Sequence, residues 1–522
     1  MSGKKRSRQD RNKLIVRIMC IFLALLMVGG VLYTVISSLA LRVSAADNTY
    51  VRIGLYYTGS SVTPPKTSYT LSSEAGFLIG TFDSGNKFTQ KYKLSQTSIT
   101  VTCVSSKITQ ARGMAVCDSS GKVLYELTET FYVCGQGGGN VSISGSNTYP
   151  GYIRFLRNNS NMQVVNVVAL EDYVAGVIPN EIGTWYPYEA IKAFAVVVRS
   201  YTLSTLGRHG SAEFDLCWTS HCQVYRGMKN VTTKIEEAAK ESAGMVMTYG
   251  GSIVQAYYSA CTGGCTCGVK EVWGSESPYL KAIATPWEHY EKETHGKWTI
   301  EYTPAELLSR LRSKGYSLSG SIKDVKITKL APDSSYVYSV TVTDTNGKSV
   351  TVERADKVRA AFGVYASNFV VGKAGSTVNR TVFKVDETEE GKPLSVMTSG
   401  GVKSLNDASS VKIATEYGEL KYNTDETVSV CTGYGRYSVS VNEPVWETEL
   451  EKLVKGKKIK TTESVKLVGS SGSFVFDGMG WGHGVGMSQQ GIKDLGELGA
   501  DYKLILTTYF PGISVVNYKT MK

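Results

Sequence analysis

Apolar and polar residues alternate with a period of two through much of 49–135, and again in 335–354, where TNGK separates two alternating runs. Short half-buried strands are predicted for the first stretch and a hairpin for the second. The strongest helical period stands apart from these strands, in VIPNEIGTWYPYEAIKAFAVVVRSYTL, residues 177–203. There Ile191, Phe194, Ala195 and Val198 recur at helical spacing, Pro187 suits a first helical turn, and Glu189 lies near the positive end of the helix dipole. The pattern predicts a helix buried on one face, with Lys192 and Arg199 to one side, and leaves Glu181 in the loop before it. A carboxylate in such a loop is held rigidly and still faces a groove; a glutamate that merely helps cap the helix is the plainer reading. Further helices are expected at 304–314, 355–362 and 488–498. In 372–473, SVKIATEYGELKYN and TVSVCTGYGRYSVSV alternate between glycine turns and predict a small β-rich module. The fold class expected is α+β, a β-rich, multi-part chain with a few helices.

The ends of the chain change this picture in one respect. The formal charge is +11, but residues 1–17 hold seven basic side chains against Asp10 alone. An uncharged apolar run follows at 18–41, long enough to span a bilayer of about 30 Å as a helix. The positive-inside rule puts the tail in the cytoplasm and the bulk of the chain outside. The small-residue site Val43-Ser44-Ala45 fits a cleaved signal peptide, but the run is longer than the usual signal core of about 7–15 residues. The expectation is therefore a single-pass membrane protein, anchored by its N-terminal helix and extracytoplasmic in bulk. With the tail set aside the remaining charge is modest, and a nucleic-acid partner is not expected. A length of 522 residues with 42% apolar content is ample for two or three domains with cores.

An exported chain allows its ten cysteines to form disulfides. Cys217 and Cys222 lie in FDLCWTSHCQVYRG beside His221, with His209 upstream; two thiolates and up to two imidazoles can close a tetrahedral zinc site. A Cys217–Cys222 disulfide is the rival. Four protein ligands would leave no open position, so such a zinc would be structural. Cys261, Cys265 and Cys267 lie in YYSACTGGCTCG, which follows a strand-like run at 253–258 and reads as a tight turn, open to close backbone approach by a ligand. Gly480, Gly482, Gly484 and Gly486 alternate around Trp481, His483 and Val485. That is strand spacing in a segment costly to order, and it suggests that something large passes close to the backbone. A sugar chain suits it, with Trp481 stacking on a pyranose and His483 and Gln489 hydrogen bonding. A phosphate loop does not, since the glycine order and the lysine of such loops are missing.

Taken in order, LEDYVAGVIPNE, AIKAFAV, RSYTL, HCQVY, YYSACTGG, VWG, PYL and GWGHGVGMSQ resemble the stage II sporulation protein D / LytB family. The likeness is dense over 145–290, thinner through KVRAAFGVYASNFVV, and resumes at Phe474. Sporulation members of that family resemble membrane-anchored lytic transglycosylases that cut the glycan strands of peptidoglycan during engulfment. The resemblance implies that Glu181 is the catalytic acid and that Lys192, Arg199, Gln223, Tyr225, Ser259, Gly263, Gly264, Trp481, His483 and Gln489 contact substrate. It implies a structural Zn2+ on Cys217, His221 and Cys222, with His209 as the remaining ligand. Peptide-free peptidoglycan glycan, a cell-wall amidase and a membrane partner of an engulfment complex are the partners it implies. One departure is Phe194, where the family pattern commonly has glutamine. The LytB side of the family implies an alternative, a non-enzymatic glycan-binding amidase enhancer. A zinc hydrolase at 217–222 is a third reading, for which the sequence shows neither an open ligand position nor a nearby base. The organisation expected is a tail at 1–17, an anchor at 18–41 and a β-rich region at 49–135. A SpoIID/LytB-like core at 145–371, an inserted module at 372–473 and the rest of the core at 474–522 follow.

Overall fold

The computed structural model describes residues 49–521 apart from 84–86, 106–111, 146, 291–295, 386–394, 399–400, 405–409, 416–417, 424–426, 433–434 and 441–448. The tail 1–17 and the apolar run 18–41 lie outside the described residues. Among those described, no helix is long and apolar enough to cross a membrane. The chain is α+β and rich in strands.

The alternation in 49–135 resolves into two sheets. One has seven strands, in the spatial order Leu216–Cys217, Tyr50–Tyr56, Asn161–Ala169, Tyr152–Asn158, Phe131–Gly135, Phe77–Phe82 and Phe88–Leu94. Val51, Ile53 and Leu55 on the first long strand are buried, as period two requires. This sheet joins segments that the sequence separated: Phe131 pairs with Phe155, and Ile53 and Gly54 pair in parallel with Leu216 and Cys217. The N-terminal strands thus carry the cysteine loop on their edge. Arg52 fixes it there, its guanidinium donating to both oxygens of Asp215 at 3.0 and 2.8 Å while its backbone amide also donates to Asp215.

Strand Asn161–Ala169 runs directly into helix α1, Leu170–Glu181, whose first turn holds Glu171 and Asp172 at the favourable end of the dipole. Ile182 caps it and Gly183 follows in the left-handed region at φ +77°, a common way to end a helix. Glu181 is therefore the last helical residue, not a loop residue ahead of the next helix. Helix α2, Tyr188–Ser204, begins after Pro187 as predicted, but it is buried on every side rather than one. It packs against α1, helix α3 (Thr233–Glu241), strand Met245–Tyr249 and the helices Gln489–Glu497 and Tyr502–Tyr509. A helix so enclosed must pair any charge it carries. Arg199, fully buried, donates to Glu171 at 3.0 and 2.5 Å and to the Met245 carbonyl at 2.9 Å.

The helices at Pro304–Ser313, Ala355–Phe362 and Gln489–Glu497 follow the expectation to within a residue or so, and Thr303 and Glu306 form a capping box on the first. Strands Val337–Asp344 and Ser349–Glu353 form the expected hairpin. The segment expected as an insert leaves and re-enters the fold between neighbouring strands: Phe369–Lys373 and Phe474–Met479 pair antiparallel, Lys373 opposite Phe474. Its first stage is a two-stranded ribbon, Thr377–Val385 with Lys458–Lys466. Three hairpins lie beyond, between Ser395 and Ser440.

The buried ion pair sets an expectation for stability. Glu171→Ala leaves Arg199 enclosed with only the Met245 and Ala239 carbonyls in place of a carboxylate, and should cost about 3 kcal/mol in urea unfolding. A change within about 0.5 kcal/mol would show that backbone carbonyls alone satisfy the guanidinium.

Candidate active site

Glu181 is half-buried where α1 ends. Its Oε1 accepts the Val224 amide at 2.6 Å, and Oε2 faces the Gln489 amide at 3.4 Å. The enclosed Tyr258 hydroxyl acts on the same carboxylate without reaching hydrogen-bonding geometry. Burial raises the Glu181 carboxyl above the ordinary glutamate range, against the pull of these three donors.

The donors come from distant segments that the fold ties together. Strand Tyr258–Ser259 pairs in parallel with Met487–Ser488, which brings YYSACTGG alongside GWGHGVGMSQ. A buried carboxylate that the sequence reading missed, Glu288, locks the two. Its Oε1 accepts the Thr262 amide at 2.8 Å and the Ser488 hydroxyl at 2.6 Å, and its Oε2 accepts the Thr285 hydroxyl at 3.0 Å and the Thr262 hydroxyl. Nothing in local spacing marks Glu288, because its partners lie up to 200 residues away.

The alternating glycines do not form a strand. Gly480, Gly482, Gly484 and Gly486 all have positive φ, between 73° and 111°, so the segment is a chain of left-handed turns. The close approach is made by the protein itself: a Cβ on Gly484 would lie 2.3 Å from the Tyr336 ring, and one on Gly486 2.2 Å from the Tyr257 carbonyl. Gly263 is likewise filled, by Met479 at 2.7 Å, and Asn368 holds its carbonyl. Gly264, at φ +96°, is the second residue of this turn, and its carbonyl accepts the Thr285 amide.

Several expected substrate contacts are thereby corrected. Arg199 is spent on Glu171, and Lys192 pairs with Glu189 and Glu241 at 3.0 and 3.4 Å. Tyr225 is core, donating to Asn166 at 2.8 Å and packed on Tyr173. His483 accepts the Val485 amide on Nδ1, reaches the Tyr258 backbone and packs against Trp273, tilted at 54° with ring centroids 4.9 Å apart. Burial and the nearby Arg359 push it down to about 4, so it is neutral near pH 7. One face of Trp481 is covered by Tyr365, 4.6 Å away and nearly parallel, and the exposed ring of that pair is Tyr365. Gln223 is fully buried and Ser259 nearly so; the Gln223 amide nitrogen and the Ser259 hydroxyl meet no hydrogen-bond partner among the described residues. Gln489 stays beside Glu181. Trp185, four residues from Glu181, is 71% exposed.

The cysteine loop forms one cluster. His209, Cys217, His221 and Cys222 offer ligand atoms within 4.8 Å of one another. Cys222 Sγ lies 3.4 Å from His209 Nε2 and 3.5 Å from His221 Nδ1, and Cys217 Sγ lies 3.6 Å from the latter. A tetrahedral ion with bonds of about 2.1–2.3 Å separates its ligands by roughly this much. Hydrogen bonds, that to Cys222 first, drive the Cys217 thiol toward the thiolate. No disulfide joins the described cysteines. Val224, which holds Glu181, is two residues beyond Cys222, so whatever orders this loop also orders the carboxylate. Cys265 and Cys267 are buried away from it, and burial pushes both thiols up.

This is an α+β protein with one desolvated carboxylate gripped by a cysteine–histidine loop and a glycine-rich segment. The family model for the stage II sporulation protein, SpoIID, matches residues 158–249, which hold α1, α2 and the cysteine loop, and this core is similar to that family. An uncharacterised protein of Brachyspira hyodysenteriae is 35% identical over 136 residues, 26% of this chain and 37% of that one. The amidase enhancer of Bacillus subtilis is 27% identical over 346 residues, 66% of this chain and 40% of its own length. The stage II sporulation protein D of the same organism is 26% identical over 234 residues, 42% of this chain and 65% of its own. The chain thus spans roughly a third to two thirds of the curated relatives it matches.

Proposed function

We propose that this protein is a peptidoglycan lytic transglycosylase acting through Glu181, anchored in the cell membrane by 18–41 with its bulk outside. The observation that carries the reading is the Glu181 carboxyl, raised by burial, held by the Val224 and Gln489 amides, with no second carboxyl acting on it among the described residues. An ordinary glycosidase needs two carboxyls. Cleavage without water needs one: the Glu181 carboxyl protonates the glycosidic oxygen as its bond to muramic C1 breaks. The 6-hydroxyl of the same sugar then bonds to C1, and the Glu181 carboxylate takes the hydroxyl proton. Gln489, beside the carboxylate, and the exposed rings of Tyr365 and Trp185 suit a polar, ring-faced polymer such as glycan. The four-ligand cluster fits a structural zinc, whose role is to hold the loop that carries the Val224 amide. With all four positions filled by protein it offers no site for bound water, which disfavours a zinc hydrolase. By its relatives' names, a cell-wall amidase and a sporulation setting are the context proposed.

One observation favours the amidase-enhancer alternative: Phe194, fully buried, stands where the family pattern commonly has glutamine, and it packs on Tyr258 at 5.0 Å. The amidase-enhancer relative also aligns over more of this chain than the sporulation relative does.

Three outcomes follow. Full-length chain in detergent should release from peptide-free glycan strands ends one water lighter than hydrolysis would give, read by mass spectrometry, and Glu181→Gln should lower the rate about 10²–10⁴-fold. Bound glycan with no product from the wild type would replace the enzyme by the enhancer. Because the carboxyl must start protonated and is raised, activity should hold above the usual glutamate range and fall as pH rises through the elevated value. A chelator strong enough to strip zinc should lower the melting temperature together with activity; lost activity in an unchanged fold would point instead to metal catalysis.

A further inference from the structure

We propose that Arg208 is a specificity residue for the glycan, pairing with the free carboxylate that a muramic acid carries once its peptide has been removed, with Tyr257 and Trp273 as the wall on which the sugar rings lie. The inference rests on the glycan reading of the site given above and adds to it the group that tells peptide-free strands from peptide-bearing ones.

Arg52, Arg154, Arg199, Arg354 and Arg380 each reach a carboxylate. Arg208 is exposed and meets none among the described residues; its Nη1 donates to the Tyr201 hydroxyl at 3.0 Å. Tyr201 is only 4% exposed, so the guanidinium is tethered by one edge to the body of the fold and its other edge stays open. The backbone beneath it is equally fixed. The Arg208 amide donates to the Thr205 carbonyl, and the amides of Gly207 and His209 on either side donate to Asp215. A guanidinium held in this way is a fork preset for an anion with two oxygens.

Rings continue the surface from Tyr201. Tyr257 lies 6.0 Å from it and 4.8 Å from Trp273, edge to face in both cases, and His483 packs on the far side of this row. Tyr257 and Trp273 are half-buried, and Trp273 comes from the VWG segment, which has no other part in the site. Guanidinium and rings belong to the same two walls that grip Glu181. Arg208 precedes His209, whose Nε2 lies 3.4 Å from Cys222 in the loop that carries the Val224 amide. The Tyr257 carbonyl accepts the Met487 amide at 3.0 Å, two residues before Gln489.

The strand's chemistry decides what this surface takes. In peptide-bearing glycan the lactyl carboxyl is spent in an amide and carries no charge; after an amidase-class hydrolysis it is an ionised carboxylate near pH 7. Only then does the fork gain a charge-assisted, two-pronged bond. A polyol phosphate offers the charge without a ring to lie on Tyr257 and Trp273.

Binding is read by calorimetry on full-length Glu181→Gln in detergent, with peptide-free glycan in two forms: lactyl carboxylates free, and the same carboxyls capped as methylamides. The free form should bind about 10-fold more tightly, and added salt should erase most of the difference. Arg208→Gln should abolish the preference at an unchanged melting temperature and leave the capped form bound as before, while Arg208→Lys should restore part of it. Trp273→Ala should weaken both forms alike. A preference that survives Arg208→Gln, an equal loss of both forms in that variant, or poly(glycerol phosphate) bound as tightly as the free form overturns the proposal. Failure to bind either form overturns it together with the glycan reading. A preference intact in a protein whose wild type releases no product overturns only the transglycosylase reading, because binding is measured without cleavage.

Discussion

A carboxylate at the C-terminal end of a helix sits at the wrong end of the dipole, among carbonyls that lack partners of their own. Glu181 occupies that place in α1 and is partly desolvated as well. Both conditions work against its ionised form, so holding it still requires donors brought from elsewhere. The chain supplies them from residues 224 and 489, which lie up to 308 positions away. Much of the tertiary structure serves that convergence.

Each donor has its own mechanical support. The Val224 amide belongs to the loop of the cysteine–histidine cluster, which is clamped to the N-terminal strand by Arg52 and Asp215. Gln489 directly follows the short parallel pairing of Tyr258–Ser259 with Met487–Ser488, whose two sides meet on the buried carboxylate of Glu288. A carboxylate with four donors inside the fold is strongly favoured as long as all four remain, and it makes two segments far apart in sequence behave as one rigid wall. The left-handed glycines belong to the same wall. They let Tyr336, Ser259 and the Tyr257 carbonyl approach the backbone more closely than any side chain would allow.

The inserted segment is mechanically separate from this arrangement. Its ends emerge from adjacent antiparallel strands, so a simple turn between Lys373 and Phe474 would close the core without it. Such a position tolerates a long excursion because the ends are already together and loop closure costs little more with added length. The N-terminal strands are the opposite case: they share a sheet with the core and carry the edge on which the cysteine loop rests.

Local period and turn chemistry determined a good deal in advance. Two-residue alternation marked the strands of 49–135 and the 335–354 hairpin, and Pro187 marked a helix start, because these signals act over a few residues. The cysteine–histidine cluster was legible because its members lie within 14 positions of one another. Only the tertiary structure decided which polar residues face a groove. Arg199 and Lys192 have the same chemistry whether they meet a sugar or a glutamate, and no local pattern tells that Glu171 or Glu241 is near. The glycine spacing misled for the same reason: it records that something crowds the backbone, and the Tyr336 ring does so as effectively as a ligand. Period three and four also cannot show that α2 is enclosed on every side, since that depends on elements more than 280 residues further along the chain. Glu288 takes its locking role from Thr262 and Ser488, 26 and 200 positions away, where sequence by itself holds no record of distance.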